Sequence, residues 1–556
     1  MNRSDDERAP EDVTADEELA PSSEARSESS RRRLLLTVFL AATLVPLAFA
    51  LFTQQVWEDY FITFRHSRNW ALGQGLVHQP GETIHGFTSP LNVLIPAIFD
   101  KLFGVPESYL PALWAYRLVS ILAFALSALA LAELLWRQGV DRWLILFFTG
   151  LHVVQVRAVA FTINGQEAGF TLAALAFGLM AAQLGHERAW KMAGLAWGGL
   201  MWSRPDGCVL VAVLGIVGLI YRRASFRDEL VGQLKAAATC TAVYLPWFAG
   251  AWIYYGTPVP HTVTAKFKMA LQGLDPVLLV RLVLEKTFEC SARCFEPIYS
   301  ELGGWPAWVG VLSLACGLIA MTAWLWPVAD RLIKMTSLSC LLSVLYLSYV
   351  TVKSMRLYPW YTPAAAMLGL LAVTLVVPAL ARRLADERWR RWATWLPLGL
   401  LGVGFLQLFF ASATQVRLQQ ELVEMQGRRQ LGLYLSEVVG EDETIYLEAL
   451  GYIGYFSGKK MLDYPGLASP QVVAARREHG DNMFDVVPAL SPDWLVLRPP
   501  EAAYAASLPE LRLLEHYDQD RYFDARPAIE ELTVHGKPFL LGDATWIIFK
   551  KKPDAS

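Results

Sequence analysis

The chain has 556 residues, 54% of them hydrophobic and 18% charged, with a mean hydropathy of +0.31 and 20 tryptophans. This balance excludes a soluble protein with solvated faces, and a net charge of −3 gives no bulk attraction for nucleic acid or for acidic substrates. What remains is a polytopic membrane protein in which the placement of charge carries more information than its sum.

Residues 1–30 are rich in Glu, Ser and Asp and lack the apolar mass that offsets ordering entropy, so residues 1–33 are expected to form a disordered cytoplasmic tail. Arg31, Arg32 and Arg33 end it, and the apolar run Leu34 to Phe52 follows as an uncleaved first span. At ~20 apolar residues per span, further spans are expected near 110–136, 142–161, 167–185, 189–203, 206–222, 232–255, 304–327, 333–352, 359–380 and 393–413, giving about eleven. The segment 90–104 is shorter and carries Pro96, Asp100 and Lys101, so it is either a span or an interfacial piece. If it does not span, the basic loops 136–143, 185–191, 221–229, 330–334 and 381–392 all share the side of Arg31–Arg33, as the positive-inside rule asks. That reading is adopted. It makes 34–414 the transmembrane domain and places outside the cell the loops 53–109, 162–166, 204–205, 256–303 and 353–358, with residues 415–556.

Residues 415–556 mix charge with short apolar runs. TIYLEAL (444–450), KKMLDY (459–464), DWLVLRP (493–499) and ATWIIFKK (544–551) read as strands, and SPQVVAARREHG (469–480) and PPEAAYAASL (499–508) as helices, which makes an extracytoplasmic α/β domain. Of six cysteines, Cys208, Cys240, Cys316 and Cys340 fall in or beside spans, whereas Cys290 and Cys294 fall in the loop 256–303, where the compartment permits a local disulfide.

The outside segments hold most of the unusual residues. In VWEDYFITFRHSRN, Glu58 and Asp59 stand among Trp57, Tyr60, Phe61, Phe64, Arg65 and Arg68. Acids just beyond a span also cap helices, but a surface cap does not require that aromatic and basic setting. A carboxylate held at a membrane surface can take a proton from a hydroxyl, and cations facing it can hold a phosphate. Arg65, Arg68, His261, Lys266 and Arg356 are the candidates for that role; taken singly, each is equally well an interfacial anchor. Glu167, in TINGQEAGF, opens a helix, where the macrodipole alone explains an acid; a substrate contact is the equal alternative. Asp206 in SRPDG reads as a helix-start residue.

The stretch WEDYFITFRHSRNWALGQGLVHQPGETIHGFTSPL resembles the first outer loop of bacterial GT-C membrane glycosyltransferases related to the mycobacterial terminal β-(1→2)-arabinofuranosyltransferase. NGQEAGF, SRPDG, YYGTPVPHTVTAK and LGYIGYFSGKKMLDYPGL resemble further motifs of that family in the same order, from about residue 50 to 470. The resemblance implies inverting transfer of a sugar, arabinofuranose first and a mannose-type hexose second, from a polyprenyl-phosphate donor to a cell-envelope glycan acceptor. The reaction would take place at the outer face of the cytoplasmic membrane. By position, Asp59 is the implied base, Glu58 stands for the first Asp of the family's pair, and Lys266 matches its outer-loop lysine; His261 replaces an Asn. A divalent cation is compatible with such chemistry, but the basic residues can take its place. The competing class is a transporter or flippase of lipid-linked saccharide, which calls for polar residues within the spans and on both faces; here they collect outside.

Overall fold

The computed structural model describes residues 23–184, 187–266, 275–509, 511 and 513–553. The expected disordered tail up to Ser22, and residues 267–274 of the loop 256–303, lie outside the described residues. Residues 23–33 do not belong to a loose tail but extend the first helix, α1 (Ser23–Thr53). Arg31 ties this stretch to Glu28 on its own helix at 3.1 Å and to Glu133 at 2.9 Å, pairs that favour helix over coil.

The other helices of the bundle, in chain order, are α2 (Glu58–Ala71), α3 (Pro90–Phe103), α4 (Leu110–Arg137), α5 (Arg142–Val154), α6 (Val156–Ile163), α7 (Ala168–Leu184), α8 (Glu187–Ser203), α9 (Gly207–Ile220), α10 (Phe226–Tyr255), α11 (His261–Lys266), α12 (Pro276–Arg293), α13 (Ala307–Thr322), α14 (Arg331–Ser354), α15 (Thr362–Ala381) and α16 (Glu387–Leu418). All eleven expected spans are helical. Among the described residues seven helices are long and apolar enough to cross a membrane, and α5 with α6 makes an eighth, bent by 55°. The bend falls at Gln155, whose side chain caps α6 by accepting from Ala158 N at 2.6 Å and donates to the Cys294 carbonyl at 3.0 Å. Helices α7, α8 and α9 are shorter, at 17, 17 and 14 residues. The segment 90–104 forms α3, whose 14 residues reach only ~21 Å at 1.5 Å per residue, less than the ~30 Å of a bilayer core.

Basic residues from two of the expected basic loops meet at Gln183, whose side-chain oxygen accepts from both Arg223 and Arg331. There Arg331 donates to the Tyr221 carbonyl at 2.5 Å and to the Ala182 carbonyl at 3.3 Å. Helix α16 does not stop near residue 414. It continues through a π-helical turn, Gln419–Arg428, into α17 (Arg429–Val438), so one helix runs from the bundle into the C-terminal domain without a linker.

That domain is a five-stranded sheet ordered β2-β1-β3-β5-β4, with β1 (Thr444–Leu447), β2 (Lys460–Asp463), β3 (Trp494–Leu497), β4 (Tyr517–Asp524) and β5 (Thr545–Lys551). Strand β1 pairs in parallel with β2 and β3, and β5 runs antiparallel to β3 and β4. β4 was not expected from the sequence: YDQDRYFD is an exposed edge with no alternating apolar face. The opposite edge, β2, is closed by the first loop, since Gln79 Oε1 accepts from Met461 N at 3.0 Å. Between β1 and β2, α18 (Leu450–Ser457) packs on α2 and joins the sheet domain to the bundle.

Candidate active site

Glu58 and Asp59 occupy the first turn of α2. Trp57 fixes that turn: its N–H donates to the Asn164 carbonyl at 2.8 Å, and its ring packs between Phe161 and Tyr299 at centroid distances of 5.1 and 5.9 Å. From the other side α18 presses so close that a Cβ on Gly451 would overlap the backbone of Glu58, and only glycine fits there. The two acids thereby face a cavity of about 360 Å³ between the bundle and the sheet domain.

Charge on its wall is arranged as a chain. Glu58 accepts from Gly451 N at 3.3 Å and lies 3.5 Å from Arg428. Arg428 pairs with Glu424 at 2.9 Å and with Asp543 at 2.6 Å, Asp543 with Arg498 at 2.5 Å, Arg498 with Glu448 at 2.8 Å, and Glu448 with Arg356 at 3.5 Å. Glu448 and Arg498 directly follow the parallel strands β1 and β3, and Tyr464 follows β2, so the carboxyl ends of the parallel strands open on the cavity, the usual place for a ligand on such a sheet.

Asp59 differs from every other acid of the wall. Among the described residues nothing donates a hydrogen bond to its carboxylate. Burial raises it above the usual aspartate range and Glu167 adds to this, while Lys266, Arg356 and Arg204 oppose. Burial also pushes Glu58 up, to about 7, against the pull of Arg428. Asp543 behaves in the opposite way: despite its burial, Arg428 and Arg498 hold it at about 2, permanently ionised. Lys266 ends the short helix α11 and rests over the rings of Tyr358 and Trp360 at 4.8 and 5.1 Å, and burial pulls its ammonium down while Asp59 pulls it up. An unsatisfied carboxylate and an ammonium thus share one cavity, with the 69% exposed Arg356 side chain at its edge.

The cavity has two continuations. A narrow recess shares Asp59, Lys266 and Trp360 and reaches Asn92 and Glu167. Glu167 accepts from Arg204 at 2.7 Å and from Asn92 at 2.9 Å, and Arg204 also holds Asp206 at 2.9 Å. Beyond Arg204 and Trp360 an apolar groove runs between spans, lined by Leu200, Leu210, Leu347 and Ala364.

Of the residues expected at one site, Glu58, Asp59, Lys266 and Arg356 line the cavity and Glu167 the recess. The other three lie elsewhere. Arg65 is nine-tenths buried and donates to the carbonyls of Gly454, Gly458 and Lys459 at 2.8, 3.3 and 3.2 Å. Arg68 donates to the Tyr455 hydroxyl at 2.6 Å. The His261 ring faces Asp463 and the Gly466 backbone, and burial holds it below its ordinary value. Cys290 and Cys294 are free thiols, correcting the disulfide expectation. They stand one turn apart at the C-terminal end of α12, which Cys294 caps, and Cys294 Sγ is turned to the Cys290 carbonyl at 3.2 Å, not to its sulfur. Sequence reading missed Arg428, Arg498, Glu448 and Asp543; the available signal was a charged residue set directly after each of two apolar strands. Among the described residues no group of three or more His, Cys, Asp or Glu converges as a metal site.

A family model described as a domain of unknown function, DUF8728, matches residues 414–540. No curated protein matches the sequence. Among solved structures, the chain resembles the crystal structure of ArnT from Cupriavidus metallidurans bound to undecaprenyl phosphate, with a TM-score of 0.51 at 12% identity over 94% of this chain and 98% of that one. The apo form of the same protein gives a TM-score of 0.49 at 11% identity, over 95% and 98%. At such identity the likeness is one of fold: a helical membrane bundle with a small C-terminal sheet domain.

Proposed function

We propose that the chain is a glycosyltransferase that moves a sugar from a polyprenyl-phosphate donor to a glycan acceptor at the outer face of the cytoplasmic membrane. The observation that carries this reading is Asp59: a half-buried carboxylate with no protein hydrogen bond among the described residues, facing Lys266 across a cavity that continues into an apolar groove between spans. An acceptor hydroxyl attacks the anomeric carbon, the bond from that carbon to the phosphate oxygen breaks, and the electron pair leaves with the polyprenyl phosphate. Asp59 takes the hydroxyl proton, and attack opposite the leaving group inverts the anomeric centre. Lys266 and Arg356 hold the departing phosphate, a charge-assisted contact that strengthens as its charge grows. Glu58 shapes the field at Asp59, and Glu167, braced by Arg204 and Asn92, contacts sugar hydroxyls in the recess. The apolar groove takes the first units of the lipid tail. The undecaprenyl phosphate bound by the ArnT structure, a protein of like fold, supports a lipid-phosphate donor. Arabinofuranose is the sugar that the sequence resemblance favours.

The test is transfer by the purified protein in nanodiscs from a panel of short-chain polyprenyl-phosphate sugars, arabinofuranosyl and mannosyl donors included, to oligosaccharide acceptors, read by mass spectrometry. Transfer from one donor that is lost in Asp59→Asn supports the reading. Donor binding without transfer to any acceptor, unaffected by either acid, moves the assignment to a carrier of lipid-linked saccharide.

A further inference from the structure

A second, larger cavity of about 840 Å³ lies on the other face of α2. It is walled by Arg65, Arg68 and Arg429 together with Tyr109, Tyr455 and Phe456. Its charge is unlike that of the Asp59 cavity, where Arg428 and Arg498 each face several carboxylates. Here, among the described residues, none of the three arginines is in an ion pair. Arg65 spends its donors on backbone carbonyls and Arg68 on a phenol, while the Arg429 guanidinium lies over the Phe456 ring at 5.3 Å. Glu107, the acid of that wall, pairs with none of them, and the buried Asp100 acts on Arg68 only at a distance, in no ion pair with it among the described residues. Carbonyls and rings orient a guanidinium without cancelling its charge, and gathering three such charges, one nine-tenths buried, is unfavourable unless an anion joins them. Arginine forks match the geometry of phosphate oxygens.

The position of the cavity narrows the ligand. Tyr109 and Leu110, at its mouth, begin the span α4, and the adjoining end of α3 projects Leu102 and Phe103, 72% and 74% exposed, beside Lys101. An apolar fringe next to a basic, aromatic hollow at the head of a span is the level of lipid headgroups. We propose that this cavity binds the phosphate of a membrane lipid in the leaflet on the sheet-domain side, with Arg68 and Arg429 on the phosphate oxygens and the acyl chains over Leu102, Phe103 and Leu110. The site is distinct from the one around Asp59, which lies ~14 Å away along α2 at 1.5 Å per residue.

The experiment is native mass spectrometry of the delipidated full chain in detergent, titrated with phosphatidylglycerol, with dioleoylglycerol, which has no phosphate, and with glycerol 3-phosphate, which has no lipid. One phosphatidylglycerol is expected to bind at least tenfold more tightly than dioleoylglycerol. Arg429→Gln, which removes a side chain with no hydrogen bond to the protein among the described residues, should weaken it several-fold. Arg68→Gln with Arg429→Gln should abolish the preference, and Asp59→Asn should leave it unchanged. Competition by glycerol 3-phosphate would identify the phosphate ester alone as what is read; its failure to compete would identify the intact lipid. Equal retention of dioleoylglycerol, or an unchanged preference in the double variant with its melting temperature intact, overturns the proposal.

Discussion

Asp59 and Glu58 are neighbours on one turn, yet their surroundings separate them. Glu58 is engaged by Gly451 N and Arg428, whereas Asp59 has no donor among the described residues and so keeps its lone pairs for an incoming proton. Replacing Asp59 by Asn is expected to cut transfer by ~10²–10⁴-fold, the usual contribution of a general base. The fold should not suffer. Folding raises the pKa of this carboxyl, so the protonated form is the one favoured; its contribution is full at low pH and lost as pH rises through the raised value. A neutral amide escapes that penalty, and the Asp59→Asn melting temperature at pH 8 should match or exceed that of the parent. The same directions fix the activity profile. A base must be ionised to act, so kcat/KM should climb with pH through a limb displaced upward from the ordinary aspartate range. Glu58, pushed up to about 7 by burial, adds a repelling charge to Asp59 as it ionises. Glu58→Gln removes this charge and should move the limb to lower pH; a limb at the same position in both proteins would separate Glu58 from the chemistry. The two acids titrate as a coupled pair, so the measured values belong to both.

Element geometry decides which residues could join them. At 3.6 residues per turn, Arg68 stands nine residues, or ~2.5 turns, beyond Asp59 and points to the opposite face, and Arg65 is ~1.7 turns away. The sequence brought these arginines near Asp59 in number but not around the helix axis, and the helical period alone explains why they line a different cavity. Lys266 and Arg356 could be read more directly because each ends or follows a helix at the same end of the bundle. The seating of α2 depends on its contact with α18. Gly451→Ala should force the two helices apart, with a cost of ~1–3 kcal/mol for overpacking and a loss of transfer larger than the loss of stability implies. A chemical melt read alongside kcat separates the two effects.

Across the whole molecule, the bundle was legible because its spans advertise themselves by length and apolar run. The wall contributed by the sheet domain was not. Arg428, Arg498, Glu448 and Asp543 lie in segments of mixed charge that read as solvated surface, and nothing local tells that they pair with one another across 115 and 45 residues. Their common centre is Arg428, whose side chain is 5% exposed and faces Glu58, Glu424 and Asp543. Arg428→Met should strand those acids, costing ~3–5 kcal/mol as for a broken buried pair. It should also push Glu58 above 7 and so keep it neutral over more of the range, moving the acid limb of kcat/KM down in pH as Glu58→Gln does. A limb that stays in place while stability falls would confine Arg428 to a structural role.

The contact between Glu58 and Gly451 joins residues 393 apart in the chain. During synthesis α2 is made and released long before its partners exist, and the circuit of charges closes only when Asp543, just ahead of the last strand, has been made. Until then Arg428 and Arg498 lack a shared counter-ion and the first loop has no roof. Assembly of the cavity is therefore among the last events in the life of the nascent protein, and a polypeptide that stalls before that point carries the helices of the bundle but no closed cavity.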